Sequence, residues 1–132
     1  MCLITTKPPQ TADHDITAWK CVVVHEGREE AGIEYRWSGP YHPDKEFLFD
    51  EHYIDEVEYV MDLGWPELYQ IGKDFFHSVE SYADAELILR EHQGLYGNRL
   101  RICKCTIPKR TLYFHDDGQY ASKAIIVHKP NN

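Results

Sequence analysis

"RLRICKCTIPKRTLYFHDDGQYASKAIIVH", residues 99–128, decides the fold class of this chain. "RLRICKCTI" alternates and clusters β-branched residues in the manner of a strand, and Pro108, which cannot continue a ladder, ends it. "TLYFH" and "KAIIVH" read as further strands, with the turn chemistry of "DDGQ" between them. A C-terminal region of strands joined by tight turns favours antiparallel pairing, because parallel neighbours need long crossovers.

Upstream, "DFFHS" is short and aromatic enough for a strand. Ser81 followed by Asp84 resembles a capping box with Asp in the acidic place, so a helix is expected from there. Tyr82, Ala85, Ile88, Leu89 and His92 share its apolar face, and Gly94 is the expected stop. A second, acidic helix is expected from Asp50, with Ile54, Val57, Tyr59, Val60 and Met61 on one side and an end near Gly64, ahead of Pro66. "WPELYQIGKD" after it reads as irregular.

"DITAWKCVVVHEG" predicts a strand over 17–25 with Trp19, Cys21 and Val23 on one face and Ala18, Val22 and Val24 on the other. Both faces are expected to be covered. "IEYRWS" follows a charged turn as its partner, placing Ile33, Tyr35 and Trp37 opposite Glu34 and Arg36, and "GPYHPDKEF" is expected to break the ladder. The adjacent prolines of "TTKPPQTADHD" suggest an extended N-terminal arm over 1–15. The remainder, 16–130, is expected to be one α+β domain, a mainly antiparallel sheet packed by about two helices.

The chain has 132 residues, 42% hydrophobic and 13% aromatic, which is the composition of one folded domain. Its 22 acidic and 14 Lys and Arg residues leave a formal charge of −8, so direct nucleic-acid binding is not expected. No stretch approaches the roughly 18 to 20 apolar residues of a membrane span, and a secretory signal is not evident, so a soluble cytoplasmic protein with reduced thiols is expected. Cys103 and Cys105 lack a second close pair to complete a zinc site and read as core residues, as does Cys21. Cys2 would become an N-terminal nucleophile only after loss of Met1, and reads as incidental. No metal or cofactor is expected, and P-loop, G-x-G-x-x-G, G-x-S-x-G and H-E-x-x-H motifs are missing.

His77 stands at a strand end just before a helix N-terminus, where unpaired N–H groups attract anions. A phosphate or carboxylate held there would meet His77 and Ser78. Arg36 would add a guanidinium fork, and Tyr41 with Tyr35 and Trp37 an aromatic face for a base. Arg36, Tyr41, His77 and Ser78 are therefore the candidate ligand site. The competing reading makes the aromatics core and Arg36 a surface residue.

The "MCLI" start, the "AWKCVVV" strand, "FHSVESYADA", "CKCTIPKRTLYF" and "YASKAIIV" together resemble a small family of uncharacterised proteins encoded by gut bacteria and their phages. Phe76 and Arg110 stand where that family tends to carry glycine. That family carries no established activity, and the expectation is a phage-associated accessory protein of the host cytoplasm that acts by binding. It would engage a host protein or sequester a small nucleotide-like ligand, as an anti-defence protein does, with a neighbouring subunit of a homo-oligomer completing the site. A more distant likeness is to ADP-ribosyltransferase-like domains, with Arg36, Ser78 and Ile107-Pro108 at matching positions. That likeness implies an NAD-using enzyme, in which Glu46 or Glu80 would have to supply the carboxylate.

Overall fold

The computed structural model describes residues 3–29, 32–40, 42–54, 61–62, 69–71 and 75–130. Along them run β1 (Leu3–Thr5), β2 (Gln10–Thr11), β3 (Ile16–Glu29), β4 (Gly32–Gly39), β5 (His42–Leu48), β6 (His52–Ile54), β7 (Met61–Asp62), β8 (Tyr69–Ile71) and β9 (Phe76–Val79). Then come α1 (Tyr82–Tyr96), β10 (Leu100–Ile107), β11 (Leu112–Asp116), β12 (Gln119–Ser122) and β13 (Ala124–Val127).

The architecture turns on β3, whose 14 residues are long enough for several partners. One edge pairs with β10, from Ile16 opposite Ile107 to Val23 opposite Leu100. The other edge meets β9 at Trp19 and then β4, from Val23 opposite Ser38 onward. The main sheet runs β2-β11-β12-β9-β3-β10-β13-β6, with the β4–β5 ribbon attached to the far half of β3, while β1, β8 and β7 form a smaller sheet. Every pairing among the described residues is antiparallel.

Both faces of β3 are covered, as its sequence demands. Cys21 and Val23 pack with Leu100 under Ile88, Leu89 and Tyr96, which places α1 on that side. Ala18 and Val22 belong to the main core with Trp37, Cys103, Cys105, Ile107, Tyr120, Ile125 and Val127. Phe47 of β5 stacks on Trp37 at 4.6 Å and also meets Phe76 of β9 at 5.6 Å and Tyr53 of β6 at 4.8 Å. Since β9 and β6 flank the β3–β10–β13 strands, the β4–β5 ribbon lies across the core-bearing face. Cys103 and Cys105 are 1% and 0% exposed, the core residues that their alternation implied.

Where the described residues cover the helix expected from Asp50 they are turn and strand, and α1 is the only α-helix among the described residues. His52–Ile54 instead pairs with β13, Ile54 opposite Ala124, and Met61–Asp62 pairs with β8. Val57, Tyr59, Val60, Gly64 and Pro66 lie outside the described residues. The open edge of β13 needs hydrogen-bond partners, and a helix offers none. Ile54 is 64% exposed, so its place in a helical spacing marked no buried stripe.

Three strands escaped the local patterns. Tyr69–Ile71, read as irregular, pairs with Leu3–Thr5 of the expected arm, whose Leu3 is buried against Phe75, Phe114 and Ala121. Residues 42–48 continue the ladder despite Pro43, because among the described residues β5 pairs only with β4, and a strand at an edge tolerates a missing donor. Gln119–Ser122 is a strand between β11 and β9, joined to β11 by Asp117 and Gly118, both at positive φ (50° and 72°) as a two-residue primed turn requires. Arg110 adopts φ 75° in the β10–β11 turn.

Ser81 caps α1, its hydroxyl oxygen accepting from the Asp84 amide at 3.2 Å and its hydroxyl donating to the Asp84 carboxylate at 2.9 Å. The helix continues through Gly94 to Gly97, which at φ 58° donates its N–H to the Gln93 carbonyl. The positive φ, not the mere presence of a glycine, sets the stop. Ser81→Ala is expected to cost about 1 kcal/mol, read as a lowered urea midpoint with an unchanged slope.

Candidate functional site

The structure disperses the residues that the sequence suggested as one site. Arg36 lies on β4 opposite His25, whereas β9 meets β3 at its other end, Val79 standing opposite Trp19. Arg36 alternates with the core residue Trp37 and so faces away from the core, while Ser78 is 3% exposed and faces the Cys105 thiol. His77, next to Ser78, takes the opposite face and stands across from Ala121. Tyr41 lies outside the described residues.

The start of α1 is already answered by the protein's own carboxylates. Asp84 sits in its first turn, and Glu80 lies 3.6 Å from His115 Nε2 beside it. A Cβ on Gly118 would meet Asp84 Oδ2 at 3.4 Å and Glu80 Oε2 at 3.7 Å, so the β11–β12 turn closes over the same carboxylates. An anion approaching from solution would meet negative charge there.

A cleft of about 530 Å³ opens elsewhere, between the β3–β4 hairpin and the link from α1 to β10. β3 contributes Val24, His25 and Glu26, β4 contributes Tyr35, and β5 contributes Glu46. Asn98, Arg99 and Arg101 form the opposing wall. Lys129 Nζ stands 5.2 Å from the centre of the Tyr35 ring, adding a third cation beside the cleft. Such a cluster is notable in a chain whose net charge is −8.

His25 is the hub of this cleft. Its Nε2 lies 2.7 Å from Ser38 Oγ, and its Nδ1 faces both Arg99 Nη2 at 2.9 Å and Glu46 Oε1 at 3.5 Å. A guanidinium only donates, so the closer Arg99 contact requires Nδ1 to keep its lone pair, and Nε2–H then donates to Ser38. That tautomer is the reverse of the one that activates a serine, and Ser38 is fully buried. The arrangement is a holder for Arg99, not a nucleophile.

Arg101 donates to the Leu100 carbonyl at 2.8 Å and to the Asn98 carbonyl, which pins the turn carrying Arg99. Tyr35, 39% exposed, offers its hydroxyl to Glu26 at 3.4 Å. The cleft therefore presents guanidiniums for an anion, an aromatic face, and carboxylates able to accept from hydroxyl groups. Sequence reasoning missed His25, Arg99 and Arg101 because the segments that carry them meet only through the β3–β4 and β3–β10 registers.

On the core-bearing face, Lys20 stands opposite Cys103, donates to the His77 carbonyl and lies 5.9 Å from the centre of the Trp37 ring. Burial of its ammonium pushes its pKa down, opposed by the neighbouring Cys105 and Cys21. It ties β3 to β9 and takes no part in the cleft. No family model, curated protein or solved structure matches the chain.

Proposed function

We propose that this protein binds a small anionic, nucleotide-like ligand in the cleft beside His25, and acts by sequestering it. The supporting observation is the convergence of Arg99, Arg101 and Lys129 with the exposed Tyr35 ring in an otherwise acidic chain. Phosphate oxygens suit the guanidiniums, a base suits the tyrosine face, and ribose hydroxyls suit Glu26 and Glu46. Glu46 also favours a second reading, an NAD-using transferase, because such an enzyme needs a carboxylate at its ligand.

Titration calorimetry and thermal shift with ADP-ribose, NAD and cyclic nucleotides test the reading. A bound ligand raises the midpoint by RT ln(1 + [L]/Kd). Arg99→Ala is expected to weaken binding by roughly 10-fold or more, the worth of a charge-assisted hydrogen bond, while His77→Ala leaves it unchanged. Recovery of the ligand unaltered supports sequestration, and its cleavage supports the enzyme. If none of these compounds binds, the cleft reading fails and a protein partner takes its place.

A further inference from the structure

We propose that Thr106, His128 and Asp50 form a nucleophilic site that accepts small acyl groups from activated esters. Thr106 lies on β10 opposite Ile126 of β13, and His128, two residues further along that chain, comes onto the same face. The His128 amide extends the ladder by donating to the Lys104 carbonyl at 3.0 Å. His128 Nε2 stands 2.8 Å from Thr106 Oγ1, and its Nδ1 stands 3.2 Å from Asp50 Oδ1. These are the two contacts, nucleophile to base and base to orienting carboxylate, that hydroxyl activation requires.

The tautomer decides the chemistry. A carboxylate can only accept, so Asp50 requires the proton on Nδ1 and leaves the Nε2 lone pair facing the Thr106 hydroxyl. This is the opposite of His25, where Arg99 occupies Nδ1 and Nε2 donates to a buried serine. The Thr106 group is also open: the His128 side chain is 40% exposed, Asp50 60%, and Thr106 is partly exposed. Asp50 holds a left-handed backbone, φ 61°, secured by its amide donating to the Val127 carbonyl at 2.8 Å, next to His128 in the chain. Asp is among the few residues with a Cβ that accept this conformation, and here it aims the carboxylate at the imidazole. Lys104 is exposed on the same face of β10, two residues from Thr106, and adds positive charge to that face.

In the reaction, Thr106 Oγ1 bonds to the ester carbonyl carbon as its proton passes to His128 Nε2. The bond from that carbon to the leaving oxygen breaks, and the leaving oxygen either takes the proton from Nε2 or departs as phenolate while Nε2 gives its proton to solvent, so that the base is restored in both cases. Water, deprotonated in turn by Nε2, then attacks the acyl-threonine, releases the carboxylic acid and restores the hydroxyl. Thr106 and His128 touch the reacting atoms, and Asp50 is a positioning residue.

The test treats the full chain with p-nitrophenyl acetate, quenches it in acid and maps acetyl groups by peptide mass spectrometry. The expected result is one acetyl on Thr106, removable by hydroxylamine as an ester is. Thr106→Val, of nearly the same shape, should abolish it, and His128→Gln should slow its formation by roughly 10²-fold. Asp50→Asn keeps a residue that tolerates the left-handed backbone, so it should retain the thermal midpoint while lowering the acylation rate and altering its pH profile. Hydroxylamine-stable acetyl groups confined to lysines would overturn the proposal, as would an unlabelled Thr106 in the folded wild-type chain, a result that depends on no variant.

Discussion

Stability to urea is expected to peak near pH 9 and to fall steeply above it, because the fold buries three thiols that the unfolded chain can ionise. Burial pushes Cys21 up to about 11 and Cys103 and Cys105 up to about 12, from an ordinary value of 9.0. Between pH 9 and 11 the unfolded chain has released three protons that the native state keeps. Those thiols alone make stability change by about −4 kcal/mol per pH unit.

Lys20 works in the other sense. Its folded pKa is depressed below the ordinary 10.5, so the unfolded chain holds a proton that the native state has lost, and stability rises with pH until 10.5. The alkaline loss is therefore shallower below pH 10.5 than above it. The raised phenol of Tyr120 adds to the alkaline loss. A domain of ordinary stability, about 5–15 kcal/mol, would unfold within a few pH units. Urea titrations from pH 7 to 11 under reductant measure this directly. The triple variant Cys21→Ala, Cys103→Ala, Cys105→Ala should lose most of the alkaline slope, and an unchanged slope would remove the thiols as its cause.

Trp37→Ala is expected to cost about 3–5 kcal/mol, the range for deleting a buried indole. Trp37 is 1% exposed, stacks on Phe47 at 4.6 Å and donates its indole N–H to the Leu48 carbonyl at 3.2 Å. Phe47 in turn carries the contacts to Phe76 and Tyr53, so the indole is the support on which the β4–β5 ribbon crosses the core. Trp37→Phe keeps most of the apolar area but leaves the Leu48 carbonyl without the indole, and should cost about 1–3 kcal/mol. Denaturant midpoints of the two variants measure the difference. Equal losses would show that the hydrogen bond and not the packing dominates.

The sequence made the local elements readable where side chains act within a few residues of themselves. The Ser81–Asp84 cap, the "DDG" turn and the two covered faces around Cys21 and Val22 are all present. The Asp50 helix and the Gly94 stop failed for a shared reason. Apolar spacing and a glycine state what a segment permits, whereas the unpaired edge of β13 and the backbone at Gly97 decided what formed. For the candidate site, alternation set Arg36 and Trp37 on opposite faces, but it could not reveal that Ser78 joins Trp37's face.

Composition, turn chemistry and period-two alternation thus determined an antiparallel, cysteine-lined fold with one firmly capped helix, because those signals arise from contacts within a segment. Tertiary structure alone decided that β3 serves three strands, that His25 holds Arg99 while His128 faces a hydroxyl, and that residues 50, 106 and 128 meet. Each depends on strand register, which long-range hydrogen bonding and core packing set together and which no single segment encodes.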